Sequence, residues 1–109
     1  MRHRARPASD DIASGEVRDA AIPGHFVVLW RTTAGRLVAC EGRCPHQWSP
    51  LDVEGVVDGE ELVCRAHGWR FGVDGAGSKL NVKGRRDVKG PVAVYAVAEH
   101  ADGIWVELP

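Results

Sequence analysis

Two short segments of this chain each set a cysteine beside a histidine: Cys44-Pro45-His46 and Cys64-Arg65-Ala66-His67, with 17 residues between His46 and Cys64. No other feature constrains the fold as much. Two soft thiolates and two borderline imidazoles, delivered on two loops, make a metal-ligand set. Ligands one or two residues apart converge on a common centre only where the backbone turns sharply between or just after them. Pro45 fixes such a turn in the first segment, and Gly68 permits one directly after the second.

The rest of the chain reads as short strands divided by turns. Thirteen Gly and six Pro in 109 residues favour turns over long helices. No window of helical length carries an apolar stripe at i, i+3, i+4, i+7, and there is no internal repeat. The β-branched and aromatic run Phe26–Arg31 and the return Arg36–Cys40 flank Thr32-Thr33-Ala34-Gly35, which predicts a hairpin. A second hairpin is predicted from Val92–Glu99 through Asp102-Gly103 into Ile104–Leu108, with short strands at Glu61–Val63 and around Arg70-Phe71 between the two. Residues 1–15 hold three Arg without an apolar core and read as a flexible tail. Residues 16–109 then form one mostly β domain, a length that suits a single core.

Charge and cysteine usage narrow the function classes. Fourteen Lys+Arg against fifteen Asp+Glu give a net charge of -1, which argues against a nucleic-acid or anionic-membrane binder. No apolar run approaches the ~18 residues of a membrane span. Three Cys cannot all pair, and the count suits a reducing, cytoplasmic setting with thiols free for chemistry.

The spacing of the two pairs resembles that of Rieske-type 2Fe-2S proteins. The likeness extends to Cys44-Pro45-His46-Gln47-Trp48-Ser49-Pro50-Leu51, similar to that family's first cluster loop, and to Cys64-Arg65-Ala66-His67-Gly68-Trp69-Arg70-Phe71, similar to the second loop in ring-hydroxylating oxygenase systems. Gly90-Pro91 followed by Val92–Val97 resembles the proline-bearing segment near the cluster. The departures are Trp48, bulkier than usual, and Arg65, where Pro is common. The resemblance implies an antiparallel β-sandwich with a small cluster-binding subdomain at about 41–83. It also implies one 2Fe-2S cluster per chain, with Cys44 and Cys64 on one iron and His46 and His67 on the other. Two neutral imidazoles in place of two thiolates raise the potential above that of an all-cysteine cluster.

Other readings of the same residues are weaker. Structural zinc sites favour C-x-x-C knuckles and a close histidine pair, whereas here each loop mixes thiol and imidazole. A Cys/His hydrolase needs one cysteine singled out as nucleophile, and none is. Cys40 reads as a small buried hydrophobe. Phe26, Trp30, Tyr95 and Trp105 fall in predicted strands and read as core; Trp69 fits a water shield, a partner contact or core. His3, His25 and His100 read as exposed and scattered, without the paired spacing of a facial triad for a catalytic iron. The basic run Lys83–Lys89 reads as a solvated loop, or else as a docking surface for an acidic redox partner.

The expectation is therefore a one-electron carrier, not itself an enzyme, passing electrons from a reductase to an oxygenase. The alternative is the electron-entry domain or subunit of a non-haem iron oxygenase; a third reading is a redox-sensing module that signals by cluster loss. High-potential members of the resembled family carry a disulfide bracing the loops and Ser and Tyr hydroxyls donating to the cluster sulfurs. This chain has Ser49 and Ala66 at the disulfide positions, and Trp69 and Phe71 at the donor positions. The resemblance therefore implies a potential low for the class.

Overall fold

The run Val27-Val28-Leu29-Trp30 is apolar at every position, a pattern that suits a strand buried on both faces rather than one with a solvent side. The computed structural model, which describes residues 1–109, places it there. The elements run β1 (Arg2–Arg4), β2 (Val17–Asp19), β3 (Val27–Arg31), β4 (Leu37–Glu41), α1 (Leu51–Glu54), β5 (Gly55–Asp58) and β6 (Glu61–Cys64). They continue with β7 (Trp69–Phe71), β8 (Gly77–Leu80), β9 (Arg86–Lys89), β10 (Val94–Tyr95), β11 (Val97–His100) and β12 (Gly103–Glu107). All pairings are antiparallel and form three sheets: β1-β12-β11, β10-β4-β3-β2 and β5-β6-β7-β8-β9.

The β10-β4-β3-β2 sheet is the shared middle layer. Because side chains alternate along a strand, Val27 and Leu29 of β3 and Leu37 and Ala39 of β4 enter one core with Ile104, Val106 and Leu108. Their neighbours Val28, Trp30, Val38 and Cys40 enter a second core with Cys44, Leu51, Leu62, Cys64, Phe71 and Val92. Each fully buried Val, Leu or Ile is worth about 1.5–3 kcal/mol. The middle sheet is thereby held from both sides.

Both predicted hairpins form, but in the second only Val97–His100 pairs with β12, while Val94–Tyr95 of the expected strand pairs with β4 in the middle sheet. The first turns at Thr32–Gly35, where Gly35 takes φ 96° and the buried Thr32 hydroxyl accepts from the Arg36 N–H at 3.0 Å. The mostly β, antiparallel expectation holds, and α1 is a single turn. No helix is long and apolar enough to cross a membrane.

Residues 1–15 depart from the expected tail. β1 pairs with β12 in the register Arg2↔Glu107, His3↔Val106 and Arg4↔Trp105, and Ala5 and Ile12 are each only 2% exposed. Two apolar anchors among polar residues make no periodic signal; the free edge of β12 supplies the order instead. The third sheet also outruns the boundary drawn from sequence at about 83, since β9 carries it to Lys89. Most of the Lys83–Lys89 run is thus strand rather than loop. Trp105 is only half-buried: Arg2 lies 4.6 Å over its ring, and its indole N–H donates to Asp102 at 3.1 Å. Phe26 and Tyr95 are likewise half-buried, while Trp30 is core.

Candidate metal centre

The four predicted donors lie on the two connections that open and close the start of the third sheet. The first, residues 43–50, leaves β4 and folds back before α1. It closes through Cys44 N–H to Ser49 O at 2.8 Å, Leu51 N–H to Gly42 O at 2.7 Å, and an Arg43↔Pro50 bridge. Closing so short a loop forces Gln47 and Trp48 into left-handed backbone, φ 61° and 60°. That conformation costs a bulky residue on the order of 1–3 kcal/mol. The Arg43 guanidinium donates to Trp48 O at 3.2 Å and helps to hold it.

The second loop joins β6 to β7. Gly68 N–H donates to Cys64 O at 2.8 Å, and Gly68 takes φ 76°, the turn the sequence allowed for. Arg65 ties this loop to the end of α1: its backbone N–H donates to Glu54 O and its guanidinium to Val53 O, both at 2.8 Å. The two loops are therefore pinned to one another through the single turn of α1. The Gly90–Val92 segment runs alongside, with Val92 N–H donating to Gly75 O at 3.0 Å and its side chain in the core that holds Cys44 and Cys64.

This framework brings the two pairs together, thiols inward and imidazoles outward. Cys44 and Cys64 are each 1% exposed. Burial, with the neighbouring Cys64, pushes the Cys44 thiol up to about 11 despite a hydrogen bond from the His46 backbone. The His46 and His67 rings meet edge-to-face, centroids 4.4 Å apart, with His46 half-buried and His67 exposed. Burial first, then His67, Lys79 and Lys89, holds the His46 imidazole below the usual histidine range, in its neutral form. Trp69 stacks on His46 at 4.9 Å and 8°, and the Lys89 ammonium lies 5.8 Å from the Trp69 ring.

Cys40 is separate from this group. It lies on β4, buried in the same core but outside the two ligand loops, and burial pushes its thiol up to about 12, as suits a small apolar residue. All three cysteines are free thiols. His25 and His100 are exposed as expected, but His3 is half-buried and its ring lies 5.0 Å from that of His25, so these two are not scattered. Lys79 went unnoticed in the sequence, and Lys89 was marked only as the end of the basic run. Only the pairing Trp69↔Lys79 brings Lys79 to the histidines.

A family model, the Rieske [2Fe-2S] domain, matches residues 5–97. The chain belongs to this family. Over 62 residues it is 45% identical to 4beta-methylsterol monooxygenase of Methylococcus capsulatus, a match covering 57% of this chain and 16% of that one. It is 42% identical over 69 residues to the ferredoxin component of the alkene monooxygenase system of Xanthobacter autotrophicus, covering 62% of this chain and 55% of the relative. Among solved structures it is similar to the ferredoxin of carbazole 1,9a-dioxygenase from Nocardioides aromaticivorans IC177, with TM-score 0.78 and 27% identity over 97% of this chain and 96% of that one. The chain thus spans about a sixth of the sterol monooxygenase but nearly the whole of the carbazole system's ferredoxin.

A Rieske domain implies one 2Fe-2S cluster. The chemistry of the donor set fits it. The buried polar side-chain atoms without a hydrogen-bond partner are His46 Nδ1 and Asp52 Oδ1, both in or next to the first loop. A neutral imidazole nitrogen left unpaired in a buried position is a lone pair available to iron. Two adjacent buried thiols ionise only against strong positive charge, which iron supplies. A binuclear cluster takes two donors at each iron, and these residues offer a buried thiol pair and a meeting pair of imidazoles.

Proposed function

We propose that this Rieske domain is a one-electron carrier between a reductase and an oxygenase, with Cys44, His46, Cys64 and His67 holding the cluster. The unpartnered, buried Nδ1 of His46, beside His67 and on a loop shared with the buried Cys44, carries the assignment of the ligands. When bound, the cluster takes up and gives back one electron. Cys44 and Cys64 would hold it from the core side, where Leu51, Leu62 and Phe71 exclude water. His46 and His67 would hold it from the surface side, where the exposed edge of His67 offers the shortest way out to a partner. Trp69 keeps the His46 ring in a fixed plane. The redox-partner role is supported by the full-length likeness to a dioxygenase ferredoxin and by the alkene monooxygenase ferredoxin component. The odd cysteine count and three free thiols support a reducing, cytoplasmic setting.

The small share of the sterol monooxygenase that is matched favours a second reading, an electron-entry domain of an iron oxygenase. EPR of the dithionite-reduced protein, together with iron and acid-labile sulfide analysis, separates the two. A carrier gives a rhombic signal of a nitrogen-ligated cluster, equal iron and sulfide, and reversible cycling without iron loss. Iron in excess of sulfide, with oxygen-dependent turnover, establishes the second reading. Loss of iron on each reduction defeats both and leaves a sensor.

A further inference from the structure

The charge of this chain is unevenly distributed. Residues 79–89 carry Lys79, Lys83, Arg85, Arg86 and Lys89 against Asp87 alone, while the other residues carry nine Lys+Arg against fourteen Asp+Glu. A nearly neutral protein therefore has one strongly cationic element, the β8–β9 hairpin. Only Arg86 is spent internally, in an ion pair with Glu61 at 2.6 Å; Lys79, Lys83, Arg85 and Lys89 make no ion pair. Asp87 accepts from the Asn81 amide at 3.3 Å within the same hairpin.

The hairpin lies beside the histidines. β7 begins at Trp69, two residues after His67, and Trp69 pairs with Lys79. Residues 80–85 therefore run on past the start of β7, alongside the second ligand loop. Lys89 reaches the face of Trp69, which is itself stacked on His46. The same hairpin exposes Leu80 (41%), Val82 (104%) and Val88 (90%). Lysines alone would serve to blunt a free sheet edge such as β9, but exposed valines among them work against that purpose. Cations around apolar side chains, next to an electron exit, are what a transient protein contact uses.

We propose that the β8–β9 hairpin, through Lys79, Lys83, Arg85 and Lys89 with Val82 and Val88, docks an acidic surface of a redox partner against the His67 side of the domain. The proposal rests on the carrier reading above. Its positive field steers an anionic patch to the histidine edge, and the contact is small, transient and salt-sensitive.

The test uses the cluster-loaded full chain, reduced and then oxidised in stopped flow by two small probes, ferricyanide and hexaamminecobalt(III), across ionic strength. The overall charge of -1 would make ferricyanide slow and its rate rise with salt. A cationic exit predicts the reverse: ferricyanide oxidation falls by about tenfold with added salt, while the cobalt probe speeds up. Lys83→Glu/Arg85→Glu should invert both trends with cluster content and midpoint unchanged, whereas Arg2→Glu/Arg4→Glu, the same charge change on the β1-β12-β11 sheet across the middle layer, should leave them as in the parent. A ferricyanide rate that rises with salt, or an inversion produced equally by both pairs, overturns the proposal. So does co-sedimentation with phosphatidylserine vesicles or retention of duplex DNA, which would assign the hairpin to another polyanion. Cluster content and reversible cycling on the same samples report on the carrier reading separately.

Discussion

The two faces of the β10-β4-β3-β2 sheet do different work. One face, through Val27, Leu29, Leu37 and Ala39, closes an all-aliphatic core with Ile104, Val106 and Leu108. The other, through Val28, Trp30, Val38 and Cys40, packs on a core that contains Cys44 and Cys64 themselves. On the first face burial is the whole purpose. On the second, the same burial also orients two sulfurs and withholds water from them. A substitution on the first face should therefore cost stability alone, and one on the second should cost the cofactor as well.

The sharpest way to break that contrast is at the cysteines. Cys44→Ser or Cys64→Ser should remove the cluster outright, because a hard hydroxyl oxygen is a poor ligand beside sulfide. His46→Ala or His67→Ala opens a coordination position and should also lose it. Cys40→Ala, on the same face and as deeply buried, should keep a full cluster. Iron and sulfide analysis with the visible spectrum reads all five variants; iron loss in Cys40→Ala together with retention in any of the four would reverse the assignment.

Core truncations come next. Phe71→Ala should cost about 3–5 kcal/mol and Ile104→Ala about 2–5 kcal/mol of unfolding free energy. Their similar cost is useful, because cluster retention should still differ. Phe71 is 1% exposed beside Cys64, and its loss should bleach the cluster at temperatures well below unfolding. Ile104→Ala should bleach only as the chain unfolds. Coincident bleaching and unfolding in both variants, followed by visible absorption and far-UV circular dichroism, would erase the distinction between the faces.

What the sequence revealed divides along similar lines. The ligand loops were legible because their chemistry is local: a cysteine, a turn residue and a histidine within three or four positions. β3 and β4 were legible because a strand buried on both faces is apolar throughout. β1 was not, since Arg2-His3-Arg4 owes its conformation to pairing with β12 and not to any pattern of its own. β5, β8 and β9 were missed for a related reason: polar residues such as Asp58, Lys79 and Arg86 hide the alternation. The stacking of Trp69 on His46 could not be read either, because the two residues, one in the first ligand loop and one at the start of β7, lie 23 positions apart and meet only in the fold.

A subtler effect concerns the potential. The two residues at the donor positions of high-potential relatives offer no hydroxyl, and Phe71 sits in an apolar core. Each absent donor withdraws roughly 1–1.5 kcal/mol from the reduced state, so two together lower a one-electron midpoint by about 90–130 mV. A midpoint below about 0 mV at neutral pH is expected, towards the lower end of the Rieske range. Protein-film voltammetry measures it, and a value above roughly +150 mV would contradict the donor argument and the oxygenase setting together.

The smallest effect comes from the two ion-paired carboxylates that clasp the outer layers. Glu61 on β6 meets the guanidinium of Arg86 on β9 and that of Arg70 on β7 at 3.1 Å. Glu99 on β11 meets Arg31 on β3 at 2.8 Å, with the Ser9 hydroxyl also donating to it. Arg86 first, then Arg70, holds the Glu61 carboxyl below the usual carboxylate range; Arg31 first, then Ser9, does the same for Glu99. A carboxyl whose folded pKa is lowered adds stability above its unfolded pKa, and that stability is lost as pH falls through the folded value. Both clasps should therefore hold at neutral pH and release on acidification below about pH 4.3, the ordinary glutamate value. Glu61→Gln should cost no more than about 1 kcal/mol at neutral pH, and Glu99→Gln less, because Glu99 is the more solvated of the two. Amide hydrogen exchange separates them by place. Glu61→Gln should speed exchange in residues 86–89 of the cluster-side sheet and Glu99→Gln in residues 97–100, and each variant should flatten the acid dependence in its own segment only. Faster exchange in both segments from either change would mean that the two outer layers open as one unit, and the contrast between the faces would then be one of chemistry and not of stability.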